Sequence, residues 1–400
     1  MAAPAGDIAY DPYDREIDVD PYPVWRRLRE EAPLYYNEPH DFFALSRYAD
    51  VEAGLNDWRT YSSAKGSLLE LIRLGIELPP GNTLFEDPPL HDAHRSVLSR
   101  VFTPKKMLAV EPEVRRFCGR ALDPLVGSDG FDFITDLGAQ IPMRTIGMLL
   151  GIPEDEQEAI REVIDASLLL DESGLPQVDP MTMMAKTEEM FAGYLDWRAD
   201  HPSDDLMSQM LVSEFEDEHG VVRRLTRTEI LVYVGNVAAA GNETATRLIG
   251  WIGKVLADHP DQLHQVAADR SLVPQVVEEV LRYEAPSPVQ ARAVTRDVEV
   301  HGRTVPEGSV MLLLNGSANR DDRYFADGDR FDIDRKADRH LSFGYGLHFC
   351  LGAALARLEG RVALDEVLQR WTHWDVDLEG AVQAHTSTVR GWQRLPVVIG

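Results

Sequence analysis

Apolar positions along the chain recur mostly at helical spacing, and strand-like runs are short and lie near the two ends. Residues 21–31 read as a short amphipathic helix. Leu34-Tyr35-Tyr36 and Phe42-Phe43-Ala44-Leu45 flank Asn37-Glu38-Pro39-His40, which predicts a β-hairpin. Val298-Glu299-Val300 and Val310-Met311-Leu312-Leu313, split by Gly302 and Pro306-Glu307-Gly308, predict a second. The clearest helix covers residues 227–258: Thr226 and Glu229 form a capping-box pattern at its start, and His259-Pro260 stops it. At ~1.5 Å per residue it would run ~48 Å. Apolar residues on most of its faces place it in the core. The expected fold class is mainly α with minor β, a single large domain over residues 1–400 with a flexible N-terminus over about residues 1–20.

Composition narrows the function classes. No Gly/Ser linker, repeat or low-complexity block divides the 400 residues. A net charge of −27, from 40 basic and 67 acidic residues, disfavours nucleic acid and anionic membranes as partners. Two cysteines, Cys118 and Cys350, cannot form a disulfide framework and fit a reducing compartment. The first seven residues lack a signal-peptide pattern, and no run of ~18 apolar residues occurs. A cytoplasmic protein with no membrane anchor is expected. Against the acidic background, Arg95, Arg100, Lys105, Lys106, Arg115 and Arg116 cluster in one stretch.

Candidate chemistry concentrates in Phe343-Gly344-Tyr345-Gly346-Leu347-His348-Phe349-Cys350-Leu351-Gly352. One cysteine sits in a glycine-built turn just before a helical run from Ala353, where a helix N-terminus favours a thiolate. Gly344 and Gly346 permit a tight turn and close approach to a flat ligand, and Gly352 keeps the space beside the sulfur clear. Phe343, Gly346, His348, Cys350 and Gly352 resemble the haem-binding loop of the cytochrome P450 family. The resemblance runs over about residues 21–396 and points to the bacterial type without an N-terminal anchor. It implies the P450 fold, with the long helix crossing over haem b and Cys350 as the axial iron ligand.

Other segments match the same family. Ala239-Ala240-Gly241-Asn242-Glu243-Thr244 breaks helix-design rules in mid-helix, as functional sites often do. It is similar to the oxygen-activation motif, which implies that Thr244 hydrogen-bonds the bound dioxygen, that Glu243 relays protons and that Ala240 and Gly241 leave room above the iron. Ala245 stands where many members have Thr or Ser. Glu279 and Arg282, spaced i, i+3, resemble the family's structural Glu-x-x-Arg pair. Asn319-Arg320-Asp321 and Arg330-Phe331 resemble the irregular segment leading to the haem loop. His91, Arg95, Arg292 and His348 match positions that hold haem propionates; His94 competes with His91, with simple surface exposure as the plainer alternative. Phe343, Gly352 and Ala240 complete the cofactor contacts. Family analogy places substrate contacts in residues 62–85 including Leu84, in residues 168–170, at Val289, at Ala240 and at Val389.

The resemblance implies a haem-thiolate monooxygenase that hydroxylates a hydrophobic small molecule with O2. Electrons would come from a ferredoxin-type donor and its NAD(P)H-dependent reductase, received on the side carrying the basic stretch. A peroxide-driven hydroxylase on the same fold, or a haem protein that binds a ligand or senses gas, would not need the Glu243-Thr244 pair.

Overall fold

The computed structural model describes residues 8–399 apart from 77, 101, 171–176, 178–179, 338 and 387. Its axis is the helix Arg227–Asp258, with the bounds that the caps predict. Thr226 Oγ1 accepts the Glu229 N–H and Glu229 Oε2 accepts the Thr226 N–H (2.6 Å), so two otherwise orphaned donors are satisfied reciprocally. Around this helix pack Phe133–Gly138 (a π-helical turn), Ile141–Leu150, Pro180–Asp200, Val273–Tyr283 and Ala353–Arg370. Approach is close enough that a β-carbon on Gly253 would stand 2.7 Å from the Phe133 ring. Most of the apolar core lies here.

Helices dominate and the strands are short, as expected. The larger sheet has the order Leu34–Asn37, Phe42–Leu45, Val310–Leu313, Gln290–Val294, Tyr61–Ser62. The first hairpin forms as predicted, with Leu34 opposite Leu45. The second does not. Val298–Val300 pairs with Arg303–Val305 across His301-Gly302, and Val310–Leu313 pairs with Gln290–Val294 and Phe42–Leu45 instead. The turn lies at His301-Gly302, where both residues take positive φ, so the strand turns back earlier than the Pro306 signal suggested. Strands are also not confined to the two ends: Glu214–Glu216 and Val222–Arg224 form a mid-chain hairpin. Near the N-terminus, Tyr10 is buried, its N–H bonds the Tyr35 hydroxyl, and Arg15–Val19 is helical. The chain is therefore packed from Tyr10 on, not only from residue 21. No helix among the described residues is long and apolar enough to cross a membrane.

Candidate functional site

The cysteine loop is fixed by backbone geometry. Gly344 and Gly346 both have φ near +70°, and a β-carbon on Gly346 would meet Asn56 Oδ1 at 2.9 Å. The Cys350 N–H donates to the Phe343 carbonyl (2.8 Å), and the Cys350 carbonyl accepts the Ala353 N–H (3.3 Å). The following helix is Ala353–Arg370, with Gly352 as its N-cap. A β-carbon at Gly352 would lie 3.9 Å from Sγ. Phe343 is buried, with the Arg357 guanidinium 4.4 Å above its ring. Burial pushes the Cys350 thiol above its ordinary range, while the Gly352 N–H, Arg95 and Arg357 pull the other way. The residue keeps an exposed edge despite that crowding.

Behind the loop, Glu279 and Arg282 are wholly buried and bound bidentately, both contacts at 2.7 Å. Arg282 also donates to the carbonyls of Asn319, Gly328 and Arg330, and Arg335 reaches Glu279 at 3.2 Å. Asn319 ties this network to the loop by accepting the Leu341 N–H and donating to Ser342 Oγ.

His91, Arg95, Arg292 and His348 come together on one side of the loop. The His91 and His348 rings meet edge to face at 4.7 Å, and Arg95 Nη2 donates to the Phe349 carbonyl at 2.5 Å. Arg292 is buried, bonds only the Ala291 carbonyl and Gln290 Oε1 among the described residues, and burial lowers its pKa to about 10. Burial, then the charges of Arg292, His91 and Arg95, push His348 down to about 3.

Across the site the central helix presents Asn236, Ala240 and Thr244 as an accessible strip on an otherwise largely buried rod. Thr244 Oγ1 donates to the Ala240 carbonyl at 2.9 Å, the back-bond that its mid-helix position predicts. Glu243 points elsewhere. It pairs with Arg247 (2.7 Å) and faces Asp165 of the helix Gln157–Leu168. Burial and Asp165, opposed by Arg247, raise its carboxyl to about 7. Arg247, four residues on, was readable as its partner from spacing alone; Asp165 was not.

The substrate candidates separate. Val289 and Val389 line one cleft with Ser67, Leu68 and Leu69. Leu170 N–H bonds the His385 carbonyl beside it; the Leu168 side chain lies outside the described residues. Ala240 does not line that cleft, and Leu84 sits exposed on the turn Thr83–Phe85, next to Asn82, whose amide bonds Asn236. Residues 62–85 contain the short helix Leu69–Leu74. The basic stretch also divides. Arg115 is tied to Glu111, Asp365 and Glu366, and Arg116 to Glu113, while Arg95 turns into the site. Arg100, Lys105 and Lys106 stay exposed. His94 is not surface-exposed: it is fully buried between Glu86 and Glu229.

Comparison with known proteins matches this arrangement. The family model for cytochrome P450 matches residues 182–379. Cytochrome P450 123 of Mycobacterium tuberculosis is 40% identical over 406 residues, covering 100% of this chain and 99% of the relative. The chain belongs to the cytochrome P450 family. The vitamin D(3) 25-hydroxylase of Pseudonocardia autotrophica is 33% identical across 95% of this P450 and 94% of its own length. The solved structure of CYP109Q5 from Chondromyces apiculatus superposes with a TM-score of 0.87 at 33% identity, covering 98% and 99% of the two chains. P450s carry haem on an axial cysteine thiolate and act as monooxygenases. The residues of this P450 fit that cofactor: His91 Nε2 and His348 Nε2 are buried donors or acceptors without a partner among the described residues. With Arg95 and Arg292 they form a cationic, donor-rich cluster suited to a dianionic group.

Proposed function

We propose that this P450 hydroxylates a bulky apolar small molecule with O2, in the cytoplasm, using electrons from a ferredoxin-type donor and its NAD(P)H-dependent reductase. The apolar lining at Val289 and Val389 supports the substrate class. So do a relative named for vitamin D(3) hydroxylation and a neighbour, 27% identical with a TM-score of 0.86, solved in complex with testosterone. Arg100, Lys105 and Lys106 are the exposed cations offered to an acidic donor.

In this reading Cys350 ligates the iron, with Phe343 and Gly352 shaping the space around Sγ. His91, Arg95, Arg292 and His348 hold the propionates, and Val289, Val389, Ala240 and Leu84 contact substrate. Bound haem supplies the oxygen activation and the oxidising power, favoured by thiolate electron donation. The chain supplies protons and position. The Thr244 hydroxyl hydrogen is committed to the Ala240 carbonyl, so its oxygen can accept from a donor, and releasing that back-bond lets it donate in turn. Glu243 can hold and give a proton near neutral pH. Neighbouring helical side chains diverge, so Glu243 reaches Thr244 through a rotamer change or one water.

The observation that carries O2-driven over peroxide-driven chemistry is this titratable Glu243 beside the back-bonded Thr244. Thr244→Ala should keep reductant consumption but cut product per reductant about tenfold, with both followed in one assay. Unchanged coupling would falsify the proton role. A reduced, CO-bound protein without the red-shifted thiolate Soret band would remove Cys350 as ligand.

A further inference from the structure

We propose that His94, doubly protonated, is a positioning residue that locks residues 81–86 onto both the helix Leu90–Ser99 and the start of the central helix. The helix Leu90–Ser99 carries His91 and Arg95 on either side of His94. His94 has no exposed surface. Its Nδ1 lies 2.9 Å from both carboxylate oxygens of Glu86, and its Nε2 lies 3.2 Å from Glu229 Oε1. A neutral imidazole has one N–H and can satisfy only one of these carboxylates; the other nitrogen would turn a lone pair toward an anion. Only the imidazolium fits both.

The charge count agrees. Glu86 faces His94 from the loop and Glu229 from the central helix, and Arg223 of the Val222–Arg224 strand binds Glu229 at 2.8 Å and 2.9 Å. The Tyr233 ring meets His94 edge-on at 5.7 Å, and burial with both carboxylates raises its phenol so that it stays neutral. Phe215 packs on another side without charge, and on its own helix His94 has His91, Asp92 and Arg95 as neighbours in sequence. Arg223 is shared with Asp217. Glu229 has only a share of that guanidinium, and among the described residues His94 is the one side chain that ion-pairs with Glu86, so His94 is the group placed to supply the second cation. Burial alone would lower the His94 pKa, but Glu86 and Glu229 outweigh it and raise it above the ordinary value. The lock is therefore closed below the ordinary imidazole pKa and is released as pH rises through the raised one.

What the lock holds is functional ground. Glu86 Oε1 accepts the Gly81 N–H at 2.7 Å, and Gly81, at φ +101°, lies so near Glu229 that a β-carbon would stand 3.1 Å from its Cα. Asn82 bonds Asn236, one turn before Ala240 on the accessible strip, and the Thr83 backbone faces the His348 ring. Leu84 rides on the same segment. One protonated side chain thus couples the loop, the donors His91 and Arg95, and the face carrying Thr244.

The test is hydrogen exchange read by mass spectrometry on the haem-loaded protein. Exchange of residues 81–86 is taken relative to the Ala353–Arg370 helix at each pH, from about pH 6 to about pH 9. Relative exposure of the segment should rise by up to about tenfold per pH unit between the ordinary imidazole pKa of about 6.5 and the raised His94 pKa, and level off above it. Glu86→Gln should leave it open at every pH, and so should His94→Gln. The CO-bound spectrum reports the haem-thiolate separately, so losing the lock and losing the cofactor are distinguishable. If either variant fails to load haem, the wild-type pH series decides alone. A segment equally protected across that range, or a haem-loaded Glu86→Gln protein that keeps wild-type protection, overturns the proposal.

Discussion

Two buried glutamate–arginine pairs lie on opposite sides of the site, and they are built differently. Glu279 and Arg282 are 0% exposed, bind through two contacts of 2.7 Å, and exhaust the remaining guanidinium donors on three carbonyls. Glu243 and Arg247 are 5% and 6% exposed and share one contact of 2.7 Å. Among the described residues Glu243 Oε2 and Arg247 Nε have no properly aligned hydrogen-bond partner, Arg247 also reaches the Trp392 carbonyl, and a second carboxylate, Asp165, stands close by. A saturated pair fixes structure because every alternative leaves a buried charge bare. An unsaturated pair beside another acid leaves a carboxyl whose proton is weakly decided, which is what a relay needs. The same two residue types thus give an anchor on the cysteine side and a titrating group on the helix side.

Breaking the anchor should have the largest effect. Arg282→Lys keeps the charge but cannot make two contacts to Glu279 and three to carbonyls from one ammonium. Removing a partner from a buried pair costs roughly 3–5 kcal/mol, and Asn319, which holds Leu341 and Ser342, loses its carbonyl partner with it. The expected outcome is a large drop in the denaturation midpoint together with loss of haem-loaded protein. A variant with wild-type stability and haem content would show that the network is dispensable.

The second pair should respond in the opposite sense, in rate rather than in fold. Glu243→Gln keeps shape and removes the proton carrier. Turnover should fall on the order of 10²-fold, while the denaturation midpoint stays near wild type. With Glu243 raised to about 7, its proton is present below that pH and lost above it. Wild-type coupling of reductant to product should therefore decline as pH rises through neutrality, and the variant should lack that inflection. Equal pH profiles for the two proteins would assign the proton to another group.

This contrast explains what could be read from the chain. Local signals were faithful: the Thr226–Glu229 box and His259-Pro260 set the central helix to the residue, and the Thr244 back-bond follows from its mid-helix position. Clustered motifs also converged, with His91, Arg95, Arg292 and His348 meeting from three separate segments. The failures were of pairing and direction. Val310–Leu313 is apolar throughout and suits any buried strand position, so its partner depends on the sheet, not on the nearest turn. Spacing gave His94 no reason to be buried, because Glu86 and Glu229 reach it from 8 and 135 residues away. Nothing local marked Asp165 as the neighbour of Glu243.

A third buried carboxylate separates saturation from burial as the cause of the difference. Glu359, on the helix that follows Cys350, is 2% exposed and no cation bonds it among the described residues. Burial raises its pKa to about 8, opposed only by Thr145, whose own hydrogen goes to the Ile141 carbonyl. In the folded protein Glu359 therefore keeps its proton in the range where the unfolded chain, near 4.5, has lost it. Its contribution to stability is intact below about pH 4.5 and declines as pH rises toward about 8. The slope is about 1.4 kcal/mol per pH unit, so on the order of 2 kcal/mol is lost between about pH 5.5 and about pH 7. Glu359→Gln cannot ionise. The difference in unfolding free energy between the two proteins should shift by that amount in favour of the variant between about pH 5.5 and about pH 7, and level off only below about pH 4.5 and above about pH 8. If the difference stays constant with pH, Glu359 has found a partner or water, and burial without saturation is not what sets a carboxyl in this fold titrating.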